Sequence, residues 1–373
     1  MNLVCGNCGQ TQLDNTRRWV CGCGGLFDLD FAPRLDRDAV ASRPPDMWRY
    51  QEALPASPAS FTRLGEGMTP MVTLPVAGRN VLVKTDQSFP TGSYKDRGAA
   101  LMISKAKEIG VTEVVEDSSG NAGAAVAAYC ARAGIGCRIF VPESTSPGKL
   151  AQIQLYGARL ERIAGSREQT AQAAVEAAGS AYYASHCYNP YFFHGTKTWA
   201  YEVAEQLGWS APDAVVLPAG NGTLLLGAHL GFKELVRMGV LGSVPKLIAV
   251  QAQACAPLHQ AYQAGSDQPA EAETSPTLAE GIAIAAPARG AQMLAAVRET
   301  GGSFISVGED EISAALLEVG RQGFCIEPTS AAAIAGLARY LETSPPSERV
   351  VSVFTGHGLK AASTIQKLLA LQA

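Results

Sequence analysis

The chain lacks any uninterrupted apolar run of about 18 residues, the minimum for a membrane-spanning helix. It also lacks an excess of positive charge, because its 34 acidic residues outnumber its 30 basic ones. The first absence argues against a membrane span, and the second gives no support to a nucleic-acid-binding surface. We therefore expect neither a membrane nor a nucleic acid as a partner.

Signs of secretion are absent as well. The N-terminal residues do not have the pattern of a secretory signal peptide. The nine cysteines are an odd number, and five of them are scattered through apolar segments. This usage favours reduced thiols over a disulfide framework, so we expect a cytoplasmic protein. With 373 residues, 47% of them hydrophobic, the chain is long enough for two domains, or three with a small appendix.

Residues 1–30 form a separate unit that is defined by four cysteines. Cys5 and Cys8 form a CxxC pair, Cys21 and Cys23 form a CxC pair, and both pairs lie beside glycines that permit tight turns. Four thiolates can bind one Zn²⁺ and leave no open position, so the predicted role is structural. The second pair departs from the usual CxxC, and a metal-free remnant held by apolar side chains is the alternative. The prolines of residues 31–60 predict an irregular connecting arm.

From residue 81 onward, predicted strands alternate with predicted helices. Such alternation indicates an α/β fold in which helices pack on a parallel sheet. A further helix begins at 146–149, and residues 264–276 read as a surface loop. The strands are predicted at 81–85, 111–115, 137–141, 159–163, 214–217, 246–251, 303–307 and 349–354. The longer helices are predicted at 97–109, 124–133, 167–178, 195–207, 224–238, 289–300, 309–322 and 329–342.

Glycine-rich corners follow three of these strands, at the end of a sheet where ligands bind in α/β proteins. The corner after the 214–217 strand can bind a phosphate, because its backbone N–H groups converge at a helix N-terminus. It is neither a P-loop, since no Lys-Ser/Thr pair follows the glycines, nor a GxGxxG turn, and an ordinary strand-to-helix turn is the alternative. The corner consists of Ala219, Gly220, Asn221, Gly222 and Thr223.

The other corners offer hydroxyl, amide and amine groups. Ser118 and Ser119 can bind a carboxylate at a helix N-terminus, and Asn121 can donate to a ring oxygen; capping of the helix is the alternative. Thr355 presents a hydroxyl at the end of the last strand. Lys95 lies on a strand-turn-helix corner, where a partly desolvated amine becomes a nucleophile or base. A solvated lysine at a helix start is the alternative.

Together these corners resemble the pyridoxal-phosphate enzymes of the tryptophan-synthase-β fold type, and within that type the threonine synthase family. The segment PTGSYKDRG at 90–98 is close to that family's PTGSFKDRG, and VFTGHGLK at 353–360 matches its terminal TGHGLK. The EPTSA at 327–331 and the NP…GTKT at 189–198 are similar to further family motifs. Many microbial members also carry a CxxC…CxC head. The resemblance covers about residue 61 to 373.

The resemblance implies a fold and a domain organisation. It implies two α/β domains, each of three layers around a parallel-type sheet, with a zinc-ribbon-like appendix. Residues 1–30 would be this head, and 31–60 the connecting arm. The large cofactor domain would comprise 61–97 and 190–373, and a smaller mobile domain 98–189. A homodimer is also implied.

The resemblance also implies roles for individual residues. Lys95 would form the Schiff base (internal aldimine) with pyridoxal 5′-phosphate, and Asn121 would bond the ring hydroxyl. The 219–223 corner would bind the phosphate, and Thr355 would face the pyridine nitrogen. Candidates for binding the substrate's carboxylate or phosphate are Ser93, Ser118, Ser119 and Lys149. His194 stands where many threonine synthases have Glu, so a site role and a surface or interface role both remain open.

The implied activity is that of a carbon–oxygen lyase acting on phosphates, which converts O-phospho-L-homoserine and water to L-threonine and phosphate. Another pyridoxal-phosphate lyase or β-replacement enzyme, such as a threonine/serine ammonia-lyase or a cysteate-synthase-like protein, is an alternative. It arises because TLAEGIAI at 277–284 resembles the matching stretch of the dehydratases. A catalytically silent binding homologue is the third possibility.

Overall fold

The computed structural model describes residues 1–145 and 147–370, and the side chains of Pro147 and Lys149 lie outside the described part. The chain divides into two compact units. The first unit comprises Met1–Met68 and Lys95–Thr198, and the second comprises Thr69–Tyr94 and the chain from Trp199 onward. The domain boundaries that the sequence resemblance implies remain a prediction.

The secondary structure alternates along most of the chain. The strands are β1 Asn2–Cys5, β2 Thr11–Leu13, β3 Phe27–Asp30, β4 Met71–Val76, β5 Arg79–Lys84, β6 Glu113–Glu116, β7 Gly136–Pro142, β8 Arg159–Ile163, β9 Tyr182–Tyr183, β10 Ala214–Pro218, β11 Lys246–Ala252, β12 Ser303–Val307 and β13 Val350–Val353. The helices are α1 Arg37–Ser42, α2 Lys95–Glu108, α3 Asn121–Ala133, α4 Pro147–Leu155, α5 Arg167–Ala177, α6 Pro190–Thr196, α7 Thr198–Gln206, α8 Thr223–Arg237, α9 Pro257–Gln263, α10 Gly290–Glu299, α11 Glu309–Arg321, α12 Pro328–Thr343 and α13 Ala362–Ala370.

The second unit is built on a six-stranded sheet in the order β12-β11-β10-β13-β5-β4. Every neighbouring pair is parallel except β4 and β5, which form an antiparallel hairpin. All residues of β10 and β13 are buried, as expected for strands covered on both faces. Because β10, β13 and β5 are parallel neighbours, their carboxyl ends lie at one edge of the sheet.

The first unit contains a parallel four-stranded sheet in the order β8-β7-β6-β9. Helices α2, α3 and α6 pack together around a buried core. Small residues let these helices approach closely. A Cβ at Gly98 of α2 would collide with the ring of Phe192 on α6, and a Cβ at Gly195 of α6 would collide with the backbone of Arg97. The small-residue stretches in the sequence are therefore helix-packing surfaces.

The head, residues 1–30, is a small antiparallel sheet in the order β2-β1-β3. Polar and aromatic contacts attach it to the rest of the first unit. Asp14 accepts hydrogen bonds from Lys105 of α2 at 2.8 Å and from Tyr191 of α6 at 3.1 Å. Trp19 meets Tyr183 edge-to-face, with ring centroids 5.0 Å apart. These contacts link the head to α2, whose first residue is Lys95, to α6 and to β9.

The predicted α/β fold is confirmed, and most predicted strands and helices agree with the structure to within a few residues. Several details differ. The connecting arm contains α1 and a 3-10 turn at Met47–Ala53, which buries Trp48 and Tyr50. The predicted helix at 195–207 is two helices, α6 and α7. The sequence predicts one strand between the turn at 65–70 and about Val83, where the structure has the hairpin of β4 and β5. Strand β9 and helix α9 were not predicted. Among the described residues, none of the helices combines the length and the apolar character needed to cross a bilayer.

Candidate active site

The turn that precedes Lys95 is joined to the end of β13 in the second unit. The backbone N–H of Tyr94 donates to the carbonyl of Thr355 at 3.0 Å, and the N–H of His357 donates to the carbonyl of Gly92 at 2.9 Å. Between these bonds, Ser93 and Gly356 form an antiparallel bridge. The sequence motifs at 90–98 and 353–360, which are about 260 residues apart, therefore form one small structure.

The 219–223 corner adjoins the same structure. The hydroxyl of Tyr94 is 2.7 Å from that of Thr223, the first residue of α8. Gly222 caps this helix with a left-handed φ of 73°, a conformation that costs glycine little. A Cβ at Gly222 would collide with Met293, and a Cβ at Gly220 would lie 2.9 Å from the backbone of Ile282. The corner is thus a buried helix N-terminus, which suits an anionic phosphate.

Thr355 lies at the carboxyl end of β13 and is 2% exposed. Its hydroxyl is 3.0 Å from that of Ser330 in α12. The Ser330 oxygen also accepts hydrogen bonds from the N–H groups of Thr355 at 2.8 Å and of Gly356 at 3.2 Å. This role of Ser330 was not predicted, although the residue belongs to the EPTSA motif at 327–331.

Ser93 provides a test of whether the second unit suits a polar ligand. Its side chain is fully buried, and within the described residues its hydroxyl has no hydrogen-bond partner. Buried hydroxyls are nearly always bonded. This hydroxyl, the Thr355 hydroxyl and the α8 N-terminus form a donor set that fits a phosphorylated pyridine cofactor.

Lys95, the residue directly after Tyr94, begins α2 in the first unit. Its side chain is half-buried. The amine lies 5.5 Å from the centroid of the Phe192 ring, within the range of a cation–π contact. The sequence prediction of a lysine at a turn-to-helix corner is confirmed.

The third corner follows β6 in the first unit. Ser118 and Ser119 are half-buried, and the Ser118 hydroxyl accepts a 3.3 Å hydrogen bond from the N–H of Gly120. Asn121 begins α3 and is also half-buried. Gly123 is required here, because a Cβ would collide with the carbonyl of Ser118. The predicted Ser-Ser-Gly-Asn corner is therefore a helix N-terminus.

A buried acid–histidine pair lies in the first unit and was not predicted. Nδ1 of His186 is 2.9 Å from Oε1 of Glu116, the last residue of β6. Burial and the charge of Asp117 raise the pKa of Glu116 well above its usual value, although Arg167 and Lys95 oppose this. Burial, with the charges of Lys95 and Arg167, lowers the pKa of His186 well below its usual value. Only its position before the Ser-Ser-Gly-Asn motif could have drawn attention to Glu116.

His194 is 4% exposed. Its Nδ1 lies 3.0 Å from the amine of Lys197, and its ring meets that of Phe31 at 5.8 Å. Burial and the Lys197 charge lower the pKa of His194 well below its usual value, so a neutral imidazole accepts the bond. The other substrate candidate, Lys149, belongs to α4, and its side chain lies outside the described part of the structure.

The four cysteines of the head converge. The sulfur atoms of Cys5, Cys8, Cys21 and Cys23 all lie within 4.8 Å of one another. The Cys5–Cys23 and Cys8–Cys21 pairs are 3.5 and 3.7 Å apart. A tetrahedral Zn²⁺ with Zn–S bonds of about 2.3 Å separates its sulfurs by about 3.8 Å. The arrangement therefore fits this ion.

Comparison with known families places this fold and site in a class. Residues 62–356 match the family described as "Pyridoxal-phosphate dependent enzyme". The match covers most of the chain and includes Lys95, the 219–223 corner and Thr355. The chain belongs to this family of pyridoxal-phosphate-dependent enzymes.

Curated relatives narrow the class. Threonine synthase of Methanocaldococcus jannaschii is 33% identical over 372 residues, which cover 95% of this chain and 92% of the relative. Threonine synthase of Methanosarcina acetivorans is 33% identical over 98% of this chain and 93% of its own length. The Synechocystis threonine synthase is 35% identical, with 83% and 82% covered. The chain belongs to the threonine synthase family, and it is a pyridoxal-phosphate-dependent lyase.

Solved structures share the fold. The processed form of threonine deaminase isoform 2 from Solanum lycopersicum superposes with a TM-score of 0.71 at 22% identity, covering 88% of this chain and 91% of that one. A fungal L-serine ammonia-lyase from Rhizomucor miehei gives a TM-score of 0.68 at 22% identity, covering 81% and 98%. These likenesses agree with an α/β fold of the tryptophan-synthase-β type.

Proposed function

We propose that this enzyme converts O-phospho-L-homoserine and water to L-threonine and phosphate. The observation that carries the proposal is the convergence of three distant segments in the second unit. Gly92–Tyr94, Thr223 and Thr355–His357 are joined by direct hydrogen bonds, and each belongs to a motif of the threonine synthase family. The near full-length similarity to curated threonine synthases supports the same activity.

The cofactor contacts follow from the donor set. We assign the phosphate to the α8 N-terminus, with the backbone N–H groups of residues 220–223 and the Thr223 hydroxyl as donors. The N–H of Ala219, the first residue of the predicted 219–223 corner, donates instead to the carbonyl of Val250 at 2.8 Å. We assign the pyridine nitrogen to Thr355 and the ring hydroxyl to Asn121. The Ser330 hydroxyl oxygen accepts a hydrogen bond from the N–H of Thr355 and also contacts the Thr355 hydroxyl, so Ser330 would fix the direction in which the Thr355 hydroxyl points.

Lys95 is the proposed catalytic residue. When bound, pyridoxal phosphate supplies a conjugated ring that accepts the electron pair released at the substrate's α-carbon. The Lys95 amine anchors the cofactor, removes the proton from the α-carbon and later returns protons as a general acid. A proton leaves the β-carbon and phosphate leaves the γ-carbon of the substrate. A proton then returns to the γ-carbon, and water adds its hydroxyl at the β-carbon to give threonine.

The substrate's own anionic groups need donors as well. We assign its carboxylate to Ser118 and Ser119, because half-buried hydroxyls at the α3 N-terminus favour a negative charge. The buried Ser93 hydroxyl is a further candidate contact, and Lys149 remains a candidate from the sequence. His194 already accepts a bond from Lys197, which supports a role in packing α6 rather than in binding substrate.

The activity is tested by incubating the cofactor-loaded protein separately with O-phosphohomoserine, serine and threonine. Products are identified by mass, because phosphate release alone also follows from simple elimination. We expect threonine and phosphate in equal amounts from O-phosphohomoserine. Release of ammonia and a keto acid from serine or threonine, without threonine synthesis, would contradict the proposal.

An ammonia-lyase is the second candidate, because the dehydratase-like stretch at 277–284 lies against the proposed phosphate corner. The carbonyl of Gly281 is 3.1 Å from the position of a Cβ at Gly220. This stretch therefore helps to shape the site. The same product analysis decides between the two activities.

We also propose that Cys5, Cys8, Cys21 and Cys23 bind one structural Zn²⁺ as a zinc ribbon. The spacing of the four sulfurs supports this, and four thiolates complete the coordination shell of zinc. Metal analysis should find one zinc per chain in the wild type and none in Cys8→Ser. One zinc per chain in both proteins would contradict the assignment.

A homodimer in the cytoplasm is proposed from the resemblance to the family. Sedimentation of the purified protein should give a mass of twice 39.0 kDa. A monomer at micromolar concentration would contradict the dimer.

A further inference from the structure

A hydrogen-bonded pair of buried side chains, Glu116 and His186, lies in the first unit, where the charge of Lys95 reaches both groups. Glu116 is fully buried at the carboxyl end of β6, and His186 is 7% exposed. One carboxyl oxygen of Glu116 is bonded to Nδ1 of His186 at 2.9 Å. Within the described residues, its other oxygen, Oε2, has no hydrogen-bond partner.

The unpartnered oxygen indicates the protonation state of the pair. An ionised carboxylate that is fully buried with one oxygen unsatisfied is strongly disfavoured. A protonated Glu116 can instead donate its O–H to Nδ1 of His186, so that both side chains are neutral. Nε2 of His186 then carries the other ring proton and faces the sulfur of Cys187 at 3.2 Å.

The neighbouring charges are already compensated. Asp117 forms an ion pair with Arg167 at 2.9 Å and accepts a hydrogen bond from Tyr183 at 3.0 Å. The charge of Lys95 also reaches Glu116 and opposes the rise in its pKa, but burial has the larger influence. The shifts already described for Glu116 and His186 agree with two neutral side chains.

Ring packing connects this pair to the Lys95 amine. The His186 ring meets the Phe192 ring with centroids 5.9 Å apart, and the Phe192 centroid also lies 5.5 Å from the amine of Lys95. Phe192 cannot shift towards α2, because Gly98 leaves no room there even for a Cβ. Gly98 and His186 therefore both restrict the position of the Phe192 ring.

We propose that Glu116 and His186 are positioning residues, which form a neutral hydrogen-bonded pair and hold the Lys95 amine in place through the ring of Phe192. This inference rests on the proposed role of Lys95 as the lysine that carries the cofactor. The pair does not touch the substrate in this account. It fixes the geometry from which Lys95 reacts.

The test compares Glu116→Gln with Glu116→Ala in the cofactor-loaded enzyme. A glutamine is neutral and can still donate to Nδ1, so the absorption band of the lysine-bound cofactor and its pH midpoint should stay at their wild-type values. Glu116→Ala removes the donor, and we expect kcat to fall on the order of 10- to 100-fold with KM little changed, because Lys95 is displaced. Phe192→Leu should lower kcat in the same way.

A midpoint shift of about one pH unit or more in Glu116→Gln would overturn the proposal, because it would show an ionised carboxylate. Wild-type kcat in Glu116→Ala would also overturn it. If Glu116→Ala does not fold, the Phe192→Leu protein decides, and wild-type kcat in that variant overturns the proposal. A wild-type protein without the absorption band would instead overturn the proposed role of Lys95, and this inference with it.

Discussion

The α8 and α3 N-termini are both glycine-containing corners at strand ends, yet they differ in burial. Ala219, Gly220 and Gly222 at the α8 corner are buried, and neighbouring atoms fill the space beside both glycines. At the α3 corner, Ser118 and Ser119 are half-buried and Gly120 is exposed. The first corner is rigidly enclosed and the second is open.

This difference suits two kinds of ligand. A cofactor that stays bound through many turnovers gains from donors that are fixed and shielded from water. A substrate that enters and leaves in each turnover needs an accessible site. We therefore assign the enclosed corner to the cofactor phosphate and the open corner to the substrate carboxylate. Both assignments rest on the proposed role of Lys95.

The largest effect is expected from Lys95→Ala, which removes the proposed catalytic amine. Without the amine, no group anchors the cofactor or moves the α-proton, and we expect activity to fall on the order of 10³-fold or more. Steady-state assays of threonine formation measure this loss. Lys107→Ala, an exposed lysine on the same helix, should keep wild-type activity. Equal activity in both variants would contradict the role of Lys95.

The enclosed corner is tested by Gly222→Ala. The alanine would have to adopt a left-handed backbone conformation, and its Cβ would collide with Met293. The corner must therefore shift, and its N–H donors move with it. We expect cofactor affinity, measured by fluorescence titration, to fall about 10- to 100-fold, since each 1.4 kcal/mol corresponds to about tenfold.

Gly239→Ala is the matched control for this variant. Gly239 has nearly the same backbone conformation, with a φ of 71°, but a Cβ there meets no atom within 4 Å. It therefore introduces the backbone strain without disturbing the corner. Equal cofactor affinity in the two variants would contradict the assignment of the cofactor phosphate to the α8 corner.

The open corner is tested by Ser119→Ala. Loss of one hydroxyl donor should raise KM for O-phosphohomoserine about 5- to 10-fold, which corresponds to roughly one hydrogen bond. Cofactor affinity should not change, and kcat should change little. Ser180→Ala, at an exposed serine of the same unit, serves as the control. A lower cofactor affinity with an unchanged KM for O-phosphohomoserine would reverse the assignment of the two corners.

The smallest effect is expected from Asp14→Asn, which weakens the contact between the head and α2. Burial alone would raise the pKa of Asp14, but the hydrogen bond and charge of Lys105 lower it below its usual value. Its contribution to stability is therefore present above the unfolded pKa of about 3.9 and is lost as the pH falls further. We expect a loss of about 1 kcal/mol at pH 7 by urea unfolding.

Asp30→Asn provides the control for this prediction, because Asp30 belongs to the same head and is exposed. It should leave the free energy of unfolding near the wild-type value. The difference between the two variants should shrink as the pH approaches about 3, since protonation then removes the charge of Asp14. A difference that persists at that pH would show that Asp14 does not act through its charge.

Much of the fold was predictable because local patterns dictate it. Strands β8 and β12 have the predicted ranges, since each lies between two helices and the alternation of elements locates it. The connecting arm was harder, because prolines alone suggested irregular chain. Its 3-10 turn forms since Trp48 and Tyr50 are buried by tertiary packing, which no local pattern reveals.

In the candidate site, too, some features are predictable from local sequence and others depend on tertiary contacts. Motifs located Lys95, Asn121, the 219–223 corner and Thr355, because turn glycines and strand ends are visible in a sequence. The contacts that organise them were not predictable. Ser330 meets Thr355, and Tyr94 meets Thr223, across 25 and 129 residues of sequence. Likewise, nothing local indicates that His186 faces Glu116.

The most direct test of the account is to identify the lysine that carries the cofactor. The cofactor-loaded enzyme is reduced with borohydride, digested, and searched by mass spectrometry for a pyridoxyl-modified lysine. The account predicts modification of Lys95 alone. Modification of another lysine instead, such as the buried Lys84 or Lys197, or of none, would contradict it.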